Sequence, residues 1–208
     1  MDTKELFNNL ISKTVKPLLK DSGFTKKSLT FYKKKEDLVF LFNFQKSGGN
    51  TSFQTKFYIN CGIHSATIDG IIEKPELIEP KEYECHFRKR ISSITNNPED
   101  GYIITGGIDL HELSRQVVTD FKKAIDFFDK VNTTSDLADL MAKQGLSNYE
   151  QLFEYLLLDG DDVRLKYYIA NLYQSFGQEQ RWKIFENKMN GILKKRHVSK
   201  EVKDILCG

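Results

Sequence analysis

Cysteine is scarce in this sequence of 208 residues: only Cys61, Cys85 and Cys207 occur, odd in number and without a CxxC pair. That argues against a secreted disulfide framework. Long apolar runs are missing too. The longest strictly aliphatic and aromatic one spans residues 38–42, far below the roughly 20 residues that cross a bilayer. The start, Met1-Asp2-Thr3-Lys4-Glu5, has neither the basic residues nor the apolar stretch of a signal peptide, so a cytoplasmic location is expected and no membrane partner. A charge excess is also lacking, with 31 basic against 29 acidic residues and a net charge of +2. Residues 1–100 hold 16 basic and 13 acidic side chains, and the remainder 15 and 16. Nucleic-acid-binding domains show a sharper imbalance and a pI above about 9, whereas the pI here is about 8.3. What is present, 39% apolar and 29% charged residues, describes a soluble globular chain. A chain of this length buries roughly 70% of its unfolded surface and needs no staple to fold.

Helical periodicity opens the chain, with Phe7, Leu10, Ile11, Thr14, Val15 and Leu18 at three- and four-residue spacing. Asp2 and Glu5 fit a capping box. Pro17 is expected to kink or tighten the helix, since it removes a donor and crowds the Lys13 carbonyl. Gly23 supplies a stop. The period then changes to two. Residues 24–32 read as a first strand, 33–37 as a polar corner, and 38–47 as a second strand with Leu38, Phe40, Phe42 and Phe44 inward. Gly48-Gly49-Asn50 marks a hairpin. A third strand over 51–63 places Phe53, Thr55, Phe57, Ile59, Cys61 and Ile63 inward. Residues 65–81 read as a connection with little regular structure. A fourth strand over 83–94 puts Tyr83, Cys85, Phe87 and Ile91 on the core face, and 102–105 reads as a short fifth. Asp109 and Glu112 then cap a long helix with the apolar stripe Leu110, Leu113, Val117, Phe121, Ile125 and Phe128.

Beyond Val131 only helical signals follow. A short helix starts at Thr134 or Ser135, Ser147 with Glu150 caps a second, residues 163–175 and 178–193 form a pair around Gly177, and Ser199 caps a last one. The expected class is α+β: an N-terminal helix, an antiparallel sheet of four or five strands, a long packing helix and a helical C-terminal appendage. The expected domains are 1–131 and 132–208.

Two resemblances accompany this reading. Lys16-Pro17-Leu18-Leu19, Gly23-Phe24-Thr25-Lys26-Lys27, Thr30-Phe31-Tyr32, Phe44-Gln45-Lys46-Ser47 and Cys85-His86-Phe87-Arg88-Lys89-Arg90-Ile91 together resemble a bacterial family catalogued as domain of unknown function 4304. That resemblance covers about residues 1–130, implies a bacterial cytoplasmic origin and carries no chemistry. In the tail, Ala170, Leu172, Tyr173, Gly177, Phe185 and Glu186 look like part of a tetratricopeptide helix hairpin, a protein-binding architecture. Such arrays need about three repeats, no second copy occurs at a 34-residue period, and Trp182 stands where that family puts a small residue. A plain antiparallel hairpin is the favoured alternative.

Chemistry is weighed against these strands. Cys61, His64, Cys85 and His86 cluster in sequence as zinc ligands do. Strand parity sends the cysteines to the apolar face and the histidines to the polar one, so no metal, cofactor or Cys–His nucleophile is expected. No Gly-Lys-Ser/Thr or GxGxxG accompanies the glycines, and no catalytic residue is assigned. The polar sheet face remains: Asn43, Gln45, Tyr58, Asn60, His64, His86, Arg88 and Arg90 project from it together. A face rich in directional hydrogen-bonding groups points to non-enzymatic recognition of a protein partner, in a defence or toxin-neutralising setting by analogy. An enzyme or small-ligand protein using the same face is the alternative. Nucleic-acid binding through the basic clusters at Lys33, Lys34 and Lys35, at Arg88, Lys89 and Arg90, and at Lys194, Lys195 and Arg196 is the second.

Overall fold

The computed structural model describes residues 2–95 and 100–207. The Asp2 carboxylate accepts the Lys4 N–H at the start of α1 (Thr3–Asn9). Pro17 has no N–H to donate, and the helix responds by widening rather than tightening. Leu10–Val15 forms a π-helical turn in which the Lys16 N–H reaches the Ile11 carbonyl, before α2 (Lys16–Asp21) continues. Gly23, at φ +85°, stops it, with the Phe24 N–H donating to Leu19 O at 2.8 Å.

Residues 24–32 make a hairpin instead of one strand. Ser28 takes a left-handed φ of 55° between β1 (Thr25–Lys27) and β2 (Thr30–Lys35). Glu36, at φ 53°, turns the chain into β3 (Leu38–Lys46), and β4 (Gln54–Ser65) follows. Phe53 precedes β4 and is exposed rather than inward. The expected connection contains a helix, α3 (Ala66–Ile71). The expected strand over 83–94 is only four residues long, β5 (Phe87–Arg90), because Glu82–Glu84 is a 3-10 turn and Ser92–Thr95 is helical (α4). Then come β6 (Tyr102–Thr105), α5 (Leu110–Phe128), α6 (Thr134–Ala142), α7 (Tyr149–Asp159), α8 (Asp162–Phe176), α9 (Trp182–Lys195) and α10 (Val202–Cys207).

The sheet is antiparallel in the order β1-β2-β3-β4, and β4 has two partners on its far edge. β5 pairs with residues 60–63 of β4 and β6 with residues 54–57, so the two are halves of one interrupted edge strand. Its inner face is aromatic. Phe42 meets Phe24, Phe121 and Phe128 at ring distances of 5.2, 4.9 and 4.9 Å. Asp109 caps α5 by accepting the His111 and Glu112 N–H groups at 2.9 and 3.1 Å, and these bonds lower its carboxyl below the usual range.

Two compact units result: Met1–Ser65 with Leu77–Leu137, and Ala66–Glu76 with Ala138–Gly208. In the second unit α7 packs against α3, α8 and α9. Here the expected caps are replaced. Asn148 in the left-handed conformation precedes α7 in place of Ser147, and Asn190 Oδ1 accepts the Val202 N–H of α10 at 2.8 Å in place of Ser199. Trp182 is buried and meets the Tyr173 ring edge-on at 5.1 Å.

A buried carboxylate ties this unit together. Glu154 of α7 accepts from Arg196 Nε at 2.7 Å, Arg196 Nη1 reaches Glu73 at 3.3 Å, and another Arg196 nitrogen donates to the Ile71 carbonyl. Removing the carboxylate leaves the guanidinium without its main partner. Glu154→Ala should therefore destabilise the protein by about 3 kcal/mol, read as a lowered urea midpoint by circular dichroism. A loss below about 1 kcal/mol, the level of ordinary surface changes, would show that the pair does not hold α7 to residues 66–76.

Candidate functional site

The outer sheet face follows from register. Tyr32, Leu41, Gly62 and Arg88 lie in one row across β2 to β5, and Thr30, Asn43, Asn60 and Arg90 in the next. Gln45 stands opposite Tyr58. The parities of Asn43, Gln45, Tyr58, Asn60, Arg88 and Arg90 are as expected, and all six share this face. The face is divided, however. At one end Val39 and Leu41, whose parity is outward, are buried, and the Cys85 sulfur lies beside Leu41 over Gly62. Lys27 pairs there with Glu79, and burial raises the Tyr32 phenol, with Glu79 and Cys85 adding to the effect.

His64 and His86 belong to this buried end and are interior, 0% and 1% exposed, not part of an open surface. Their rings stack with centroids 4.8 Å apart. The Ser65 N–H donates to His86 Nδ1 at 3.1 Å, so His86 carries its proton on Nε2. The Ser65 hydroxyl donates to Asp37 Oδ2 at 3.1 Å and meets the Thr134 hydroxyl at 2.6 Å, while the latter also donates to Asp37. The residue types are those of a hydrolytic triad, but His86 Nδ1 is occupied by a backbone N–H and cannot take the serine proton there. These bonds pin the β2–β3 turn, the end of β4 and the start of α6.

Cys85 corrects the parity argument. Because Glu82–Glu84 is a 3-10 turn, alternation does not extend back from β5, and the Cys85 sulfur lies on the outer side against Gly62. A Cβ at Gly62 would stand 2.6 Å from Cys85 Sγ and 3.1 Å from Leu41. Cys61 remains on the inner face, and Tyr83, expected inward, is exposed. Burial pushes both buried thiols up in pKa. Glu82 and Glu84 add to the effect at Cys85.

At the other end Gln45 and Arg90 are exposed, Asn43 and Tyr58 half-buried and Asn60 buried. Asn60 Nδ2 donates to Gln45 Oε1 at 3.1 Å and Asn43 Nδ2 to Thr30 Oγ1 at 2.9 Å, so the amides are fixed in orientation. Arg90 is exposed and lays its guanidinium over the Tyr58 ring, 3.8 Å from the centroid. Lys56 approaches the same ring at 5.6 Å, but its charge faces Asp100 at 3.5 Å. Among the described residues, Tyr58 and Ile59 of β4 have no register partner between β5 and β6. A cavity of about 40 Å³ fills the gap, lined by Tyr58, Arg90, Ser92, Gly101, Tyr102 and Gln116 among others. Gly101, at φ +73°, lies so close that a Cβ would meet Phe57 O at 2.6 Å and the Tyr58 ring at 2.7 Å. The Tyr102 hydroxyl donates to buried Asp120 at 2.7 Å. Sequence reading does not single out Ser92, Gly101, Tyr102 and Gln116 as a group. The one available signal is that alternation stops at Ile91 and resumes at Tyr102.

The basic clusters are partly neutralised within their units. Lys33 faces Asp129 at 3.3 Å, Lys35 donates to Asn132, and Lys195 and Arg196 both engage Glu154 and Glu73.

Two outcomes are expected. A thiol reagent should label exposed Cys207 rapidly in the native protein, and Cys61 and Cys85 only after unfolding. Fast native labelling of either would contradict their burial. Gly62→Ala should destabilise by about 2–3 kcal/mol through overpacking, and by clearly less in a Cys85→Ala background, where the sulfur is gone. Additive effects in a thermal or urea double-mutant cycle would show that the two side chains do not meet.

Residues 15–130, more than half of the chain, match the family described as Domain of unknown function (DUF4304). Among curated proteins and among solved structures, none matches the chain. The extent of the family match shows that the chain belongs to the DUF4304 family.

Proposed function

We propose that this chain is a non-enzymatic recognition protein of a bacterial cytoplasm, and that its partner docks on the Arg90 end of the outer sheet face. The observation that carries the reading is the preset geometry of that end. Its amides are held by the Asn60–Gln45 and Asn43–Thr30 bonds, and Arg90 is laid flat on Tyr58. Groups ordered in advance lose less conformational entropy on binding. Arg stacked on an aromatic ring is a frequent anchor of protein interfaces. The sheet edge is a less suitable docking element, because β1 is short and carries Lys26 and Lys27, the usual guards against strand addition. A defence or toxin-neutralising role is one setting in which such a protein acts. The enzyme alternative draws no support from the Asp37, Ser65, His86 group, whose bonds are those of a structural clamp.

The test is comparative affinity capture from lysate of the organism that makes the protein. Arg88→Ala with Arg90→Ala should lose the proteins that the unaltered chain retains, while stability stays within about 1 kcal/mol. Equal capture by both proteins would remove the outer face from the recognition role.

A further inference from the structure

We propose that the gap between β5 and β6 is a binding site for a single carboxylate, with Arg90 as its anchor. The inference deepens the recognition reading by naming the chemistry of the group recognised, and rests on it for the partner's being a protein. The strand register breaks between Arg90 and Tyr102, although the Ile91 N–H still donates to the Ile59 carbonyl at 2.8 Å, and a cavity of about 40 Å³ lies there beside Tyr58 and Ile59 of β4. That volume holds roughly three water-sized atoms, the size of a carboxylate group. Three side chains on its wall offer donors: the Arg90 guanidinium, the Ser92 hydroxyl and the Gln116 amide.

Electrostatics favour an anion there. Among the described residues no ion pair involves Arg90, whereas its neighbour on the Tyr58 ring, Lys56, already faces Asp100. A guanidinium lying on a ring face keeps its N–H edge free for the paired hydrogen bonds that carboxylates accept. Tyr58 in turn is fixed by the backbone at Gly101, where no larger residue fits against its ring. Among the described residues Arg90 is the one cationic side chain on the cavity wall, which suits a singly charged group better than a doubly charged phosphate. The carboxylate can come from an acidic side chain or from a chain terminus.

Nitrogen-15 NMR titration of the full chain distinguishes these sources. The probes are an acetylated, amidated tetraglutamate, an acetylated, amidated tetraglutamine, acetylated tetraglutamine with a free terminal carboxylate, and inorganic phosphate. Saturable shifts of the Arg90 Nε–H and of the Ser92 and Gln116 signals are expected with at least one carboxylate probe. The glutamate probe reports a side-chain source, and the free-ended glutamine probe a terminal one. Arg90→Lys should weaken binding about tenfold by losing the paired geometry, and Gln116→Ala should weaken it less. The inference is overturned if the fully amidated glutamine peptide binds equally, if phosphate binds more tightly, or if Arg90→Lys changes nothing. If no carboxylate probe moves Arg90 while the double alanine variant still loses its captured proteins, the carboxylate site falls and recognition stands. If the probe binds at Arg90 and capture is unchanged, recognition falls and the carboxylate site stands.

Discussion

Phe42 and Phe44 stand two residues apart on β3, and between them they touch rings from β2, β4, α1 and α5. Phe42 packs on Phe121 and Phe128, and Phe44 on Phe7, Phe31, Phe57 and Phe121. Each such ring removes about 150–250 Å² from water, and edge-on pairs add to that burial. The pleat makes the consequence reach further. With these two side chains turned inward, Asn43 and Gln45 must turn outward, and the paired strands follow. A slip of one residue would bury amides among phenylalanines, so the aromatic core sets the register of the polar face as firmly as it sets stability.

The interrupted edge of β4 is the second organising feature. An unbroken partner strand would have covered Tyr58 and Ile59, whereas the excursion through α4 leaves them beside a cavity. Inner and outer faces thereby meet at one point. Tyr102 stacks on Phe57 of the core at 5.2 Å, while Arg90 caps Tyr58 outside. β5, α4 and α5 carry the donors of this notch beside Tyr58 of β4, so a binding group is kept in place by regular elements.

The inner face was legible because it obeys one period. The β3 and β4 alternation, the α5 stripe and the Asp109 cap all appear where local patterning puts them, and the α+β class follows from their order. The outer face was legible only in half. Asn43, Gln45, Tyr58, Asn60 and Arg90 hold their parity, but parity says nothing about what lies above a sheet. His64 and His86 are interior and stack on each other, and the Cys85 sulfur lies over neighbouring Gly62, in a stretch before β5 with no periodicity to announce its position. Cys85 was misplaced for a related reason, since a 3-10 turn resets the alternation without leaving a mark in residue type. Ser28 likewise gives no warning of its left-handed φ, having neither glycine's freedom nor asparagine's preference.

The allocation of residues 66–76 to the helical unit bears on how the molecule is made. Ribosomes deliver this stretch between two pieces of the sheet unit, whereas its packing partners in α7 and the Arg196 guanidinium follow only after residues 77–137 of that unit have been made. Strands β1 to β4 are hairpin neighbours and can pair as they emerge, since local contacts form fastest. Ile68, fully buried in the finished protein, has to wait. The nascent chain thus carries Ile68 and α3 without their partners until α7 and the helices that follow it have been made.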